Sequence, residues 1–195
     1  MHFLGFYDYT VILTYLSLVS AFCGMMAARG GNISAAVLCL MACGICDAFD
    51  GAVARTKKNR TEDEKAFGIQ IDSLCDAVSF GVFPAFLSTC MGLDGFLGKA
   101  IAAVYCLCAV IRLAFFNVQE AKRQQAEEGK RTTYRGMPVT TISILFPAIY
   151  ILHWFLGAGA FRVLLHILMA VSAFLFILDF SVKKPNFDKV LSKSK

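Results

Sequence analysis

The chain has 195 residues, of which 57% are hydrophobic and 13% aromatic, and its mean hydropathy is +0.63. This composition excludes an ordinary soluble domain and indicates an integral membrane protein. The net charge of +5 does not indicate a nucleic-acid partner, because basic residues that flank membrane spans and face anionic lipid account for it.

Apolar stretches of about 20 residues, long enough to cross the hydrocarbon core of a bilayer as a helix, recur along the chain. Six are predicted, over residues 10–28, 33–53, 67–91, 97–118, 138–156 and 160–182. Short connections join them, and the sequence shows no internal repeat. We therefore predict an all-α fold, a polytopic bundle of six transmembrane helices that forms a single domain over residues 1–195.

Basic residues concentrate in alternate connections, which predicts the orientation of the bundle. Three segments are rich in Lys and Arg. The first contains Arg55, Lys57, Lys58, Arg60 and Lys65, the second Lys122, Arg123, Lys130, Arg131 and Arg135, and the third Lys183, Lys184, Lys189, Lys193 and Lys195. The opposite connections hold only Arg29, Lys99 and Arg162. By the positive-inside rule the rich segments face the cytoplasm. We expect a protein of the cell membrane with both termini cytoplasmic and its first span retained.

Two neighbouring spans carry paired aspartates near their cytoplasmic ends. Asp47 and Asp50 are three residues apart in the second span, and Asp72 and Asp76 are four apart in the third. Each spacing places both carboxylates on one helix face. Asp47 lies eight residues before Arg55, about 12 Å along a helix, so the site is expected one or two turns inside the cytoplasmic surface. If the two faces pack together, four carboxylates share one cavity.

Four carboxylates in a low-dielectric cavity repel one another unless a cation neutralises them. All-oxygen ligands favour hard divalent ions, so Mg²⁺ or Mn²⁺ is expected, with Ca²⁺ as an alternative. Four acidic ligands could hold two ions, the arrangement that clamps the attacking and leaving oxygens in phosphoryl transfer.

Small residues beside the aspartates indicate room for a phosphate or a base. Gly51 and Ala54 lie next to the first pair, and Gly68 lies one turn before Asp72. We also expect Gly68 to lie near the N-terminal end of its helix, where the helix dipole favours an anion. Arg55 carries a fork-shaped cation suited to a diphosphate oxygen.

The segment "DAFDGAVAR", twelve further residues and then "GIQIDSLCD" match the pattern D-x-x-D-G-x-x-A-R, spacer, G-x-x-x-D-x-x-x-D. This pattern resembles the signature of the CDP-alcohol phosphotransferases. The resemblance implies attack of an alcohol on the lipid-linked phosphate of a CDP-lipid, with release of CMP, and a homodimer. It implies metal ligands at Asp47, Asp50, Asp72 and Asp76, with Asp76 also the general base, and a cytidine diphosphate site at Gly51, Ala54, Arg55 and Gly68.

Three further stretches, "DSLCDAVSFGVFPA", "IRLAFFNV" and "YRGMP", resemble the phosphatidylserine synthase branch of that family. Phe115 departs from this branch, where a second arginine is expected, and so does "GMPVTT". Arg112 is the one basic residue predicted well inside a span, and Asn117 lies nearer the cytoplasm. We predict both as binding residues of the site. An arginine inside the membrane needs an anionic partner, which could be the serine carboxylate, a diphosphate oxygen, a motif aspartate or Asp179.

The leading hypothesis is transfer of the phosphatidyl group of CDP-diacylglycerol to L-serine. Glycerol 3-phosphate or inositol phosphate is the alternative acceptor, although an acceptor with its own phosphate should need more cationic residues than Arg112. A divalent-cation transporter is the hypothesis from a different class. Such a transporter is expected to bind near the midplane and usually to show repeated, broken helices. Here all four aspartates are predicted near one face of the membrane, and the sequence shows no repeat.

Overall fold

The computed structural model describes residues 5–54, 56–57, 59–125 and 133–183. The helices are α1 (Ile12–Arg29), α2 (Ile33–Ala54), α3 (Glu62–Asp76), α4 (Phe83–Cys90), α5 (Gly95–Gln125), α6 (Ile142–Leu152) and α7 (Ala158–Ile177). Short 3-10 helices at Tyr9–Val11 and Val139–Thr141 precede α1 and α6, and a π-helical segment, Ala77–Val82, joins α3 to α4. Two short antiparallel strands, β1 (Thr133–Arg135) and β2 (Ser181–Lys183), complete the described part. The predicted all-α class is confirmed.

Five helical segments are long and apolar enough to cross a membrane: Tyr9–Arg29, Ile33–Ala54, Glu62–Cys90, Gly95–Lys122 and Ala158–Ile177. The third of these combines α3, the π-helical segment and α4. The remaining predicted span is present as the shorter apolar helix Val139–Leu152. The chain is therefore an integral membrane protein, and its helices correspond to the six predicted spans.

Helix α3 begins at Glu62, five residues before the position expected from the apolar run. Thr61 caps it, because its hydroxyl accepts from the Glu64 backbone N–H at 3.2 Å while the Glu64 carboxylate accepts from the Thr61 N–H at 2.9 Å. This capping box starts a helix whose first turn is charged rather than apolar. Gly68 thus lies almost two turns into α3, and the expectation that it lies near the N-terminal end of its helix was wrong.

The inward face of α1 consists of small side chains, and its large apolar side chains point outward. Phe22 and Val19 are 61% and 58% exposed, as suits contact with lipid. Inside, a Cβ added at Gly24 would lie 2.3 Å from Phe83 Cζ and 2.9 Å from Cys39 Cβ. The buried residues of α1 are Thr14, Ser17, Ala21, Gly24 and Ala28. Such small residues let membrane helices approach closely.

The segment before α1 is tied to the connection between α2 and α3 by charge. Lys57 Nζ lies 2.7 Å from an Asp8 oxygen and 2.9 Å from a Glu64 oxygen. The Lys57 ammonium, helped by donors from Thr10, lowers the pKa of the Asp8 carboxyl to about 2. A lowered pKa means that this attraction is fully present at neutral pH and is lost as the pH falls from about 4 through about 2.

The π-helical segment directly after Asp76 is held by side chains of α5. The Phe83 N–H bonds to the Val78 carbonyl, five residues back, and the wider turn leaves nearby carbonyls to other donors. Tyr105, fully buried on α5, donates its hydroxyl to the Phe80 carbonyl at 2.7 Å. This bond fixes the course of the chain just beyond the last aspartate.

Replacing Tyr105 by phenylalanine removes that donor and leaves the Phe80 carbonyl buried without it. We expect Tyr105→Phe to lower stability by about 1–3 kcal/mol, measured as a reduced midpoint of thermal unfolding in detergent. Tyr150→Phe is the matched control, because the Tyr150 hydroxyl makes an exposed 2.8 Å hydrogen bond with Ser34 and its loss should cost no more than about 0.5 kcal/mol. Equal midpoints for the two variants would contradict the role given to Tyr105.

Candidate active site

Three of the four predicted aspartates converge between α2 and α3. Carboxylate oxygens of Asp47, Asp50 and Asp72 all lie within 4.8 Å of one another. The spacing of three residues on α2 turns its two aspartates toward the same neighbour, so the cluster follows from helix geometry. We call these three residues the aspartate cluster.

Asp76 lies beside the aspartate cluster, one turn further along α3. It is 7% exposed, and it lines a cavity of about 310 Å³ together with Asp47 and Asp72. The remaining lining residues come from α3, α5 and the chain before α6: Ser73, Arg112, Leu113, Phe116, Pro138, Val139 and Thr140. We call this space the Asp76 cavity.

The geometry of the aspartate cluster fits a hard divalent cation. Oxygens on opposite sides of an ion bound at 2.0–2.6 Å lie about 4–5 Å apart, which matches the observed separation of up to 4.8 Å. Asp72 Oδ1 is buried and accepts no hydrogen bond from the described residues. A buried carboxylate oxygen without a donor is costly unless a cation occupies its lone pair. The residues present therefore fit a bound divalent cation.

A second cavity, of about 170 Å³, adjoins the aspartate cluster. Asp50 and Asp72 line it, and it contains the three small residues singled out in the sequence, Gly51, Ala54 and Gly68. The other lining residues are Thr10, Val11, Thr14, Arg60, Lys65 and Ile69. We call this space the glycine cavity. Arg55, predicted to belong here, lies outside the described residues.

Arg112 reaches the Asp76 cavity from α5 and is 8% exposed. Its Nε donates to the Met137 carbonyl at 3.2 Å. Gly136 makes this approach possible, because its φ of +69° suits glycine and a Cβ there would lie 3.1 Å from the Leu178 carbonyl and 3.5 Å from Arg112 Cζ. The stretch "YRGMP" thus helps to position Arg112. Asp179, one of the alternative partners predicted for Arg112, lines a separate cavity of about 290 Å³ together with it.

Asn117 connects α5 to α3 next to the aspartates. Its Oδ1 accepts a hydrogen bond from the Ser73 hydroxyl at 2.8 Å. Ser73 lines the Asp76 cavity, so Asn117 acts on that cavity through its neighbour. The sequence placed Asn117 in the site itself, and the structure gives it this supporting contact.

Several lining residues were not singled out from the sequence. Ser73 carries no charge and stands between two aspartates, and Phe116 is one aromatic among many. Arg60 belongs to a charged connection without helical periodicity, so residue spacing could not predict that it lines the glycine cavity. Thr140 lies in "GMPVTT", where the departure from the expected pattern was the only available signal.

Comparison with known proteins agrees with the motif. The profile of the CDP-alcohol phosphatidyltransferase family matches residues 9–179. The chain is 27% identical over 164 residues, 83% of its length, to an archaetidylserine synthase of Methanothermobacter thermautotrophicus. It is 35% identical over 122 residues, 60% of its length, to a CDP-diacylglycerol–serine O-phosphatidyltransferase of Bacillus subtilis. A protein of the same name from Helicobacter pylori is 28% identical over 179 residues, 88% of this chain.

The matched regions span 66%, 62% and 70% of the length of these three relatives, in the same order. No solved structure matches the chain significantly. The family profile covers all of the described helices and both aspartate pairs. The chain belongs to the CDP-alcohol phosphatidyltransferase family.

Proposed function

We propose that this protein transfers the phosphatidyl group of CDP-diacylglycerol to the hydroxyl of L-serine and releases CMP. The observation that carries the proposal is the arrangement of two cavities around Asp72, which lines both. One cavity offers small residues for a nucleotide, and the other offers Asp76 and Arg112 for an acceptor. Relatives whose names specify a serine acceptor support the choice of alcohol.

In this proposal Asp47, Asp50, Asp72 and Asp76 hold one or two divalent ions, Mg²⁺ or Mn²⁺, with Ca²⁺ as a further candidate. Bound metal would neutralise the diphosphate and stabilise CMP as the leaving group. Asp72, which lines both cavities, would hold that charge where they adjoin. The glycine cavity, through Gly51, Ala54 and Gly68, takes the cytidine diphosphate portion together with Arg55.

Asp76 serves as the general base for the attacking alcohol. Its carboxylate takes the proton of the serine hydroxyl as the serine oxygen forms a bond to the lipid-linked phosphorus. The bond between that phosphorus and the bridging oxygen of the diphosphate breaks, and CMP leaves with the bonding electrons. Burial of Asp76 excludes bulk water, which would otherwise compete with serine as the nucleophile.

Arg112 lines the same cavity as Asp76 and is proposed to hold the serine carboxylate. A guanidinium forms paired hydrogen bonds with a carboxylate and so fixes its direction as well as its distance. Asn117 supports this side of the site by fixing Ser73. Among the described residues that line the Asp76 cavity, Arg112 is the one basic side chain. This favours serine over glycerol 3-phosphate or inositol phosphate, whose phosphate would need further cations.

We further propose that the site and both termini face the cytoplasm in the cell membrane, since the charged connections favour that orientation. A homodimer is proposed from family membership. Gly24 packs against Phe83 and Cys39 of the same chain, so the dimer would use a different surface. Residues 1–195 are proposed to act as one domain.

The acceptor is tested by CMP release from CDP-diacylglycerol with Mn²⁺ or Mg²⁺ and the purified protein in detergent. We expect release with L-serine and little with glycerol 3-phosphate or inositol phosphate. Release that depends on either phosphorylated alcohol would keep the chemistry and reject serine as acceptor. Metal uptake into sealed vesicles without CMP release would favour a transporter.

The different roles of Asp76 as general base and Asp72 as metal ligand are tested with Asp76→Asn and Asp72→Asn. Asp76→Asn removes the base, so serine-dependent CMP release should fall by about 10²- to 10⁴-fold. Asp72→Asn removes a member of the aspartate cluster, so it should weaken Mn²⁺ binding more than Asp76→Asn does. Binding is measured as the Mn²⁺-dependent rise in the unfolding midpoint. Similar loss of Mn²⁺ binding in both variants, with activity retained by Asp76→Asn, would contradict these roles.

The role of Arg112 is tested by comparing KM for serine with KM for CDP-diacylglycerol. Arg112→Lys keeps the positive charge but loses the paired geometry, and we expect KM for serine to rise by about tenfold or more. KM for CDP-diacylglycerol should change little. A selective rise in KM for the lipid substrate would instead assign Arg112 to the diphosphate.

A further inference from the structure

Arg60 occupies the glycine cavity together with Asp50 and Asp72. It lies in the connection between α2 and α3, and its side chain extends along the first turns of α3 as far as Gly68. One guanidinium nitrogen, Nη2, donates to the Glu64 backbone carbonyl at 3.1 Å. The connection thereby places a positive charge beside the aspartate cluster.

The hydrogen-bonding capacity of Arg60 is only partly used within the described part of the chain. Its Nε is buried and has no hydrogen-bond partner there, and no described carboxylate lies within 4.0 Å of its nitrogens. A guanidinium has five N–H donors and stays charged at any physiological pH. Buried donors of this kind are costly when they remain unbonded, so they indicate a missing anionic partner.

The neighbouring cations differ from Arg60 in this respect. Lys57 is paired with Asp8 and Glu64, at 2.7 and 2.9 Å. Lys65, which also lines the glycine cavity, is paired with Glu62 at 2.7 Å. Within the described α2–α3 connection and the start of α3, Arg60 is therefore the basic residue whose charge no carboxylate matches.

Charge balance shows what Arg60 can bind. Two divalent ions would only cancel the charge of Asp47, Asp50, Asp72 and Asp76. The diphosphate of a bound CDP-lipid would then need cations supplied by the protein. Arginine suits this need, because its planar fork can donate two hydrogen bonds to the oxygens of one phosphate.

We propose that Arg60 is a binding residue for the diphosphate of the CDP-lipid, held against Gly68 so that its guanidinium faces the aspartate cluster. This inference rests on the proposed function and adds a residue that the family signature does not contain. It also gives Gly68 a specific role: a Cβ there would lie 2.6 Å from Arg60 Nη2. The glycine makes room for the arginine, and the arginine contacts the substrate.

The proposal is tested by calorimetric binding of CDP and of cytidine to the full-length protein in detergent with Mn²⁺. Arg60→Gln should weaken CDP binding by about 10- to 100-fold, the range expected for a charge-assisted hydrogen bond, and leave cytidine binding unchanged. Arg60→Lys should recover part of the loss. Lys122→Gln removes an exposed positive charge elsewhere and should bind CDP like the unsubstituted protein.

Equal CDP affinity in Arg60→Gln and the unsubstituted protein would overturn the proposal, and continued serine-dependent CMP release would show that the proposed function survives. An equal loss of CDP and cytidine binding would also overturn it, because the effect would not lie at the phosphates. Absence of CDP binding by the unsubstituted protein would overturn both.

Gly68→Ala supplies a second test that leaves Arg60 in place. The added methyl meets the far end of a flexible side chain, so the fold should persist while the guanidinium is displaced. Gly68→Ala should weaken CDP binding about as much as Arg60→Gln, and the double variant should lose no more than either single variant. Additive losses would overturn the claim that Gly68 acts through Arg60.

Discussion

The cost of placing carboxylates within a membrane-spanning helix governs the rest of this structure. Each aspartate at mid-membrane costs about 2.5–3.5 kcal/mol on insertion scales, and several together repel one another. The chain limits this cost by confining its paired aspartates to one end of α2 and to the adjoining part of α3. The small inward residues of α1 let it approach Cys39 of α2 and Phe83 of α4 closely, and the aspartates remain grouped so that one bound cation could neutralise several of them.

Because Asp72 lines both cavities, the two sides of the site are built by different parts of the chain. The glycine cavity is formed by residues between Thr10 and Asp72, which include most of the family signature. The Asp76 cavity adds α5 and the chain before α6, where Arg112 and Thr140 lie. Under the proposed function, the nucleotide side and the acceptor side could therefore change independently, which would explain why the signature alone does not identify the alcohol.

Sequence reasoning predicted those features that depend on a regular helix. Apolar length gave the spans, and the spacing of Asp47 and Asp50 predicted that they would face one neighbour. It failed where local capping competes with hydropathy, since Thr61 starts α3 before the apolar run begins. Sequence reasoning also could not predict contacts made by irregular segments. The turn at Gly136 that brings the Met137 carbonyl to Arg112 has no periodic signal.

The supply of cations around the aspartates bears on how many metal ions the site holds. One divalent ion would leave a net negative charge on the four carboxylates beside a diphosphate that is itself negative. The described cations on the glycine side offer little to offset that excess, because Lys57 and Lys65 are already paired with carboxylates. Under the proposed function, the charges of Arg60 and Arg55 would be matched by the diphosphate and would leave the carboxylates uncompensated. That charge balance favours two ions over one.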